Sequence, residues 1–290
     1  AFYSAASTVQ SRAGLLSRWK WYRKVQQQQT ALRQREGLLD RFLALIPFIS
    51  PDKRAIVLKD VRLFWRDTTQ WGQTVVLFGL LAVYILNLRH FGSQITSPFW
   101  SNLVSHLNLF ACALNLATIT TRFVYPQFSL EGKRGWIIGM APMGLPHVVL
   151  TKLALATVAS LCITLSLTLL SAWMLKMDRA RTFDLGASAV VMTITLNSLA
   201  TGLGALYPNL KEDNPNRIVA GFGGTFCLVA SFVYILLSVL ILSITSAYGR
   251  DPKASLTWMA AGRIAFLTLS VAAGLIPLRL AIKKVTRFEF

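Results

Sequence analysis

Long stretches without a charged residue alternate with short polar ones along this chain. Six such runs lie between Asp67 and Arg89, Arg89 and Arg122, Lys152 and Lys176, Asp184 and Lys211, Arg217 and Arg250, and Arg263 and Arg279. A helix needs roughly 20 apolar residues to cross the hydrocarbon core of a bilayer. Five runs reach that length; the sixth is short, but Arg263 and Arg279 can extend their side chains to the two interfaces. The pattern predicts an all-α polytopic membrane protein with spans at about 70–89, 101–122, 147–176, 184–207, 218–246 and 257–282.

Ahead of the first span the period changes. Pro51 breaks the chain, and Ala55 to Arg66 then places Val57, Leu58, Val61, Phe64 and Trp65 on one helical face, with Lys59, Asp60, Arg62 and Arg66 opposite. That is the spacing of an amphipathic helix lying in the membrane interface. It makes residues 51–69 an elbow leading into a six-helix transmembrane domain over 70–290. Residues 1–50 are basic, with Trp19, Trp21 and Tyr22 among Arg and Lys and a glutamine run from Gln26 to Gln29. Such a segment suits a cytoplasmic membrane surface or a solvated helical linker.

Composition agrees: 54% of residues are hydrophobic and the mean hydropathy is +0.51. The net charge of +18 raises nucleic acid as a partner, but its distribution argues against one. With six crossings, 23 Lys and Arg fall on one side and 7 on the other, which places both termini in the cytoplasm by the positive-inside rule. The basic excess then reads as topology and contact with lipid head groups. The three cysteines, Cys112, Cys162 and Cys227, all lie in apolar runs and lack metal-ligand spacing.

The chemistry of several enzyme classes is missing. Gly132-Lys133 is followed by Arg134 and lacks the upstream glycine of a phosphate loop, so the chain has no Walker-type ATP site. His90, His106 and His147 are scattered, and the spans hold no acidic pair. No catalytic, cofactor-binding or metal-ligating set is expected. The spans do carry uncharged polar residues, among them His106, Asn108, Asn115, Asn197 and Thr201. These either line a substrate path or bond helix to helix. Gly202-Leu203-Gly204 and Gly221-Phe222-Gly223-Gly224 flank a polar segment in which Glu212 and Asp213 offer a second cytoplasmic contact.

The stretch between the second and third spans is short and mixed in character. Tyr125, Phe128, Leu130, Trp136, Ile137 and Ile138 supply apolar anchors, and Glu131, Lys133 and Arg134 a polar face. It suits a short helix docking on a cytoplasmic protein, or an interfacial helix without a partner. The order Glu131-Gly132, Ala141-Pro142, then Lys152 resembles the signature of ABC-2 type exporter permeases. Three segments are similar more specifically to the "putative ABC exporter" permease family: Leu58-Lys59-Asp60-Val61 with Arg66-Asp67 and Gln70-Trp71; Arg122-Phe123-Val124 with Ser129-Leu130-Glu131-Gly132; and Gly202 to Asn209 with Glu212 to Pro215.

The resemblance implies six membrane helices, an elbow before the first, and a coupling helix between the second and third. That coupling segment, about 125–138 and centred on Phe128, Ser129, Leu130, Glu131, Gly132, Lys133 and Arg134, docks on a separate cytoplasmic ATPase subunit that carries ATP-Mg. The chain looks like the C-terminal half of family members, with residues 1–50 as a linker from an N-terminal half. A second permease copy or that other half, and lipids, are the further partners; the location is the bacterial cytoplasmic membrane. The expected function is the permease subunit of an ATP-driven exporter, itself not an enzyme. The alternative is a structural or assembly subunit of a larger membrane complex, and a weaker third reading is a membrane enzyme.

Overall fold

The computed structural model describes residues 56–62, 72, 75, 79, 83, 98–134, 144–212, 214–248 and 255–286. Contacts divide the chain into two units, Ala1–Lys59 and Asp60–Phe290. In the first unit, residues 56–59 are helical. In the second, the described residues form α1 (Pro98–Ile119), α2 (Gly144–Met174), α3 (Arg179–Leu206), the short α4 (Pro215–Ala220), α5 (Phe222–Tyr248) and α6 (Ser255–Val285), with no strand among them.

Five helices among the described residues are long and apolar enough to cross a membrane: Asn102–Glu131, Pro146–Met174, Arg179–Leu206, Phe222–Ser246 and Thr257–Val285. Of the expected first span, 70–89, only residues 72, 75, 79 and 83 are described; all are helical and all are exposed. Their spacing puts them on one helical face. The remainder of that span, elbow residues 51–55 and 63–69, and residues 1–50 lie outside the described residues.

Two expected boundaries move. The span drawn from 184 begins at Arg179, so Arg181 and Asp184 belong to helix rather than to a loop. The turn before it is tight: Met177 N–H donates to Ala172 O at 3.1 Å and Lys176 N–H to Trp173 O at 3.2 Å, with Lys176 at φ 49°. This is a Schellman closure, in which a left-handed residue satisfies the last carbonyls of α2. The span drawn from 218 is interrupted at Gly221, between α4 and α5. Asn214 caps α4 by accepting from Asn216 N–H at 3.0 Å, and Pro215 occupies its first turn, where no N–H is needed.

α3 is the central helix and packs against α1, α2, α5 and α6. Its apolar window is 78% buried, against 22–50% for the other four. That explains why it tolerates Thr193, Thr195, Asn197, Ser198 and Thr201: its polar groups meet protein rather than lipid. Thr193 and Thr195 donate back to the carbonyls of Ala189 and Val191. Around α3, Leu109, Leu116, Met192, Leu196, Ile235 and Phe266 form the main apolar core. Outward-facing residues such as Val158, Trp173, Val229, Ile264 and Val271 are exposed, as a lipid-facing surface requires.

Small residues set the closest approach. A Cβ at Gly202 would stand 2.7 Å from the carbonyl carbon of Pro277 in α6, whereas one at Gly186 would meet nothing within 4 Å. Gly202→Ala is therefore expected to lower stability by about 1–3 kcal/mol through overpacking. Gly186→Ala should raise it by about 0.4–1 kcal/mol through helix propensity. Thermal unfolding in detergent compares the pair.

Candidate functional site

The end of the bundle where α1 and α3 finish carries the site. α1 does not simply stop. It widens into a π turn over Thr120–Val124 and tightens into 3₁₀ turns over Tyr125–Gln127 and Ser129–Arg134. Pro126 has no N–H to donate to the carbonyl one turn back, so the α ladder cannot continue through it. The segment expected as a short helix is thus a tight, irregular extension of α1; residues 135–143 lie outside the described residues.

Tyr125 fixes this extension. It is 2% exposed and packs among Ala156 of α2, Leu199, Ala200 and Leu203 of α3, Ile218 of α4 and Cys227 of α5. Its hydroxyl donates to Tyr207 O at 3.2 Å. A Cβ at Gly204 would land on the Tyr125 carbonyl oxygen, and one at Gly223 on its hydroxyl. One glycine from each cluster singled out in the sequence, Gly204 and Gly223, therefore leaves the room that Tyr125 fills. Asn209 N–H donates to the buried Ser129 Oγ at 3.1 Å, and Lys284 Nζ donates to Leu206 O at 2.6 Å, closing the C-terminal end of α3. The segment Gly202 to Asn209 is a bracket for residues 125–129.

Beside the bracket lies a charge node. Lys152, in the third turn of α2, has a side chain only 5% exposed. Its Nζ contacts Glu131 Oε1 at 2.7 Å and Asp60 Oδ2 at 3.1 Å; the two carboxylate side chains are 16% and 13% exposed. One ammonium thus ties together the helical stretch after Lys59, the 3₁₀ extension and α2. An ion this deeply withdrawn from water is tolerated only when paired and hydrogen-bonded. The sequence showed Asp60, Glu131 and Lys152 as separate positions in three segments; their meeting was not foreseen.

The expected coupling residues fall into distinct environments. Phe128 packs half-buried on Ala205, Ala281 and Val285, Ser129 is buried, and Glu131 faces Lys152. Leu130 is exposed. Gly132, Lys133 and Arg134 continue the 3₁₀ turn, and their side chains are not described. Glu212 makes a long surface contact of 3.9 Å with Arg217, and Asp213 lies outside the described residues.

The polar residues within the spans also separate. Asn108 Nδ2 donates to Ser171 Oγ and Asn197 Nδ2 to Ser160 Oγ, both at 2.7 Å, each tying another helix to α2. Asn108 Oδ1, Asn115 Nδ2, Asn197 Oδ1 and Thr201 Oγ1 are buried without a hydrogen-bond partner. His106 sits at the opposite end of the bundle, its Nδ1 2.9 Å from Asn102 O. Among the described residues no three His, Cys, Asp or Glu cluster as metal ligands.

The family described as "Putative ATP-binding cassette" matches residues 1–290. The chain belongs to this family. Membership joins an ATP-binding-cassette transporter relationship to a helical chain with membrane-length apolar helices, which fits a transport-related role in a membrane. No curated protein and no solved structure matches the chain.

Proposed function

We propose that the chain is the ABC-2 type permease subunit of an ATP-driven exporter in a bacterial cytoplasmic membrane. It has six membrane helices behind an interfacial elbow, with both termini cytoplasmic. ATP-Mg is hydrolysed on a separate cytoplasmic ATPase, and a second permease copy or an N-terminal half completes the pore. The observation that carries this reading is the node of Asp60, Glu131 and Lys152 beside the clamped Tyr125. Together they make residues 125–131 a stiff extension of α1 held to α2 and α3, so a push on it moves helices rather than a loose loop. The missing phosphate loop supports the permease role over the ATPase role. The orphaned polar atoms of Asn108, Asn115, Asn197 and Thr201 support a polar lining, since each is costly in a purely structural interior.

Among the described residues of this extension, Leu130 is an exposed apolar side chain. Leu130→Glu is expected to reduce recovery of a Walker-loop ATPase with the purified chain at least tenfold while the unfolding temperature stays within about a degree. Unchanged recovery would remove the docking assignment. The second reading, a structural or assembly subunit, draws on the interhelical bonds from Asn108 and Asn197. It predicts stoichiometric copurification with a complex containing no such ATPase and no effect of nucleotide.

A further inference from the structure

At the end of the bundle opposite Glu131, the starts of α1, α3 and α6 and the end of α5 surround a cleft of about 310 Å³. Its wall includes Asn102, His106, Arg181, Asp184, Ser246 and Arg263. Arg263 stands more than two turns inside α6, between the uncharged stretches 255–262 and 264–278. Its side chain is 55% exposed, so the guanidinium is open to a group entering the cleft. Its Nη2 donates to Asp184 Oδ1 at 2.7 Å.

That bond engages one of five N–H donors, so the guanidinium keeps the geometry to grip an oxyanion as well. Arg181 brings a second guanidinium to the same wall, where Asp184 is the one carboxylate among the described lining residues. Asn102 O lies against His106 Nδ1 and can only accept, so Nδ1 carries the ring proton there. The Asn102 amide is held by its donation to Ser246 Oγ at 2.8 Å. A single carboxylate already bridged by Arg263 is a poor cation site, because a hard cation gathers several oxygen ligands. The volume lies at the small end of ligand sites, matching a head group rather than an extended molecule.

We infer that this cleft binds one phosphate-class anion, carried by a lipid head group or free in solution. The site does not depend on the exporter reading. The test uses the whole chain purified in detergent with two probes, a phosphatidylglycerol and phosphatidylcholine mixture and inorganic phosphate. Native mass spectrometry reads bound lipid and thermal unfolding reads phosphate. The expected result is at least a tenfold preference for phosphatidylglycerol over phosphatidylcholine, or a phosphate-dependent rise in unfolding temperature.

Bound phosphatidylglycerol that inorganic phosphate does not displace assigns a lipid head group; displacement, or a rise with phosphate alone, assigns a free anion. Asp184→Asn breaks the ion pair yet makes the cleft more positive, so it should tighten binding at least threefold. The Arg263→Gln, Asp184→Asn double variant removes the guanidinium without orphaning a carboxylate and should bind at least fivefold more weakly than Asp184→Asn alone. The inference is overturned if neither probe binds selectively, if Asp184→Asn weakens binding, or if the double variant binds as tightly as Asp184→Asn.

Discussion

Lys152→Met is expected to destabilise the protein by about 3–5 kcal/mol, the range for removing one member of a buried ion pair. The wild-type ammonium is flanked by Glu131 Oε1 at 2.7 Å and Asp60 Oδ2 at 3.1 Å. Without it, two carboxylates share a site largely closed to water, and each repels the other. The cause is therefore the repulsion between two carboxylates of low exposure rather than a lost attraction. A triple variant, Lys152→Met with Glu131→Gln and Asp60→Asn, removes all three charges and should recover most of the loss. Thermal or urea unfolding of the single, paired and triple variants separates the two effects. A coupling of about 1–3 kcal/mol between positions 131 and 152 is expected from the double-mutant cycle. If Lys152→Met unfolds like the wild type, the node is not a structural tie. Under the exporter reading the triple variant has a second use: it restores stability with a changed tether, and any remaining loss of transport then reports on transmission rather than folding.

Gly204→Ala should cost about 1–3 kcal/mol, or more if the main chain cannot yield. The added methyl falls on the backbone carbonyl of Tyr125, which lies in the turn leading to the node and has no rotamer by which to escape. Gly223→Ala differs in kind. Its methyl meets the Tyr125 hydroxyl, with the next contacts at 3.0 Å from Tyr207 Cβ and 3.2 Å from Tyr125 Cζ. Tyr125→Phe removes the closest clash and gives up the 3.2 Å bond to Tyr207 O. Tyr125→Phe should thus be harmful alone, by about 0.5–1.5 kcal/mol, yet partly rescue Gly223→Ala. It should leave Gly204→Ala unrescued, because that clash is with main chain. A rescue of both, or of neither, would show that Tyr125 is not seated between these glycines. Unfolding temperatures of the four combinations decide it.

Much of the fold was legible in the charge-free runs, because a helix in hydrocarbon must satisfy its backbone internally and exclude charges over its length. The expected spans at 101–122, 147–176 and 257–282 meet helices α1, α2 and α6 within a few residues. The errors arose where a charge or a glycine did not end a helix in the expected way. Arg179, Arg181 and Asp184 lie within α3, since Asp184 pairs with Arg263 and long arginine side chains can reach out of an apolar layer. Gly221 interrupts what looked like one span, and Asn214-Pro215 starts a separate short helix before it.

The candidate site was legible as positions but not as an arrangement. Resemblance marked Glu131, Lys152, Gly204 and the Tyr207-Pro208-Asn209 run, yet gave no sign that Glu131 and Lys152 meet. Glu131, expected among the coupling residues, meets Lys152, and Phe128 lies on Ala205 and Ala281. Asp60 and Lys152 are 92 residues apart, and no local periodicity records such a contact.

By itself the sequence determined which segments avoid water, where charge cannot enter, and that no phosphate loop is present. The first two follow from composition along the chain, because transfer from water acts residue by residue; the third is a matter of motif spacing. Only the tertiary structure decided that α3 is the buried centre, that one glycine from each of two clusters makes room for one tyrosine, and that three dispersed charges form a single node. Each depends on which helix faces lie together, and packing and ion pairing exist only between groups the fold has brought within a few ångströms.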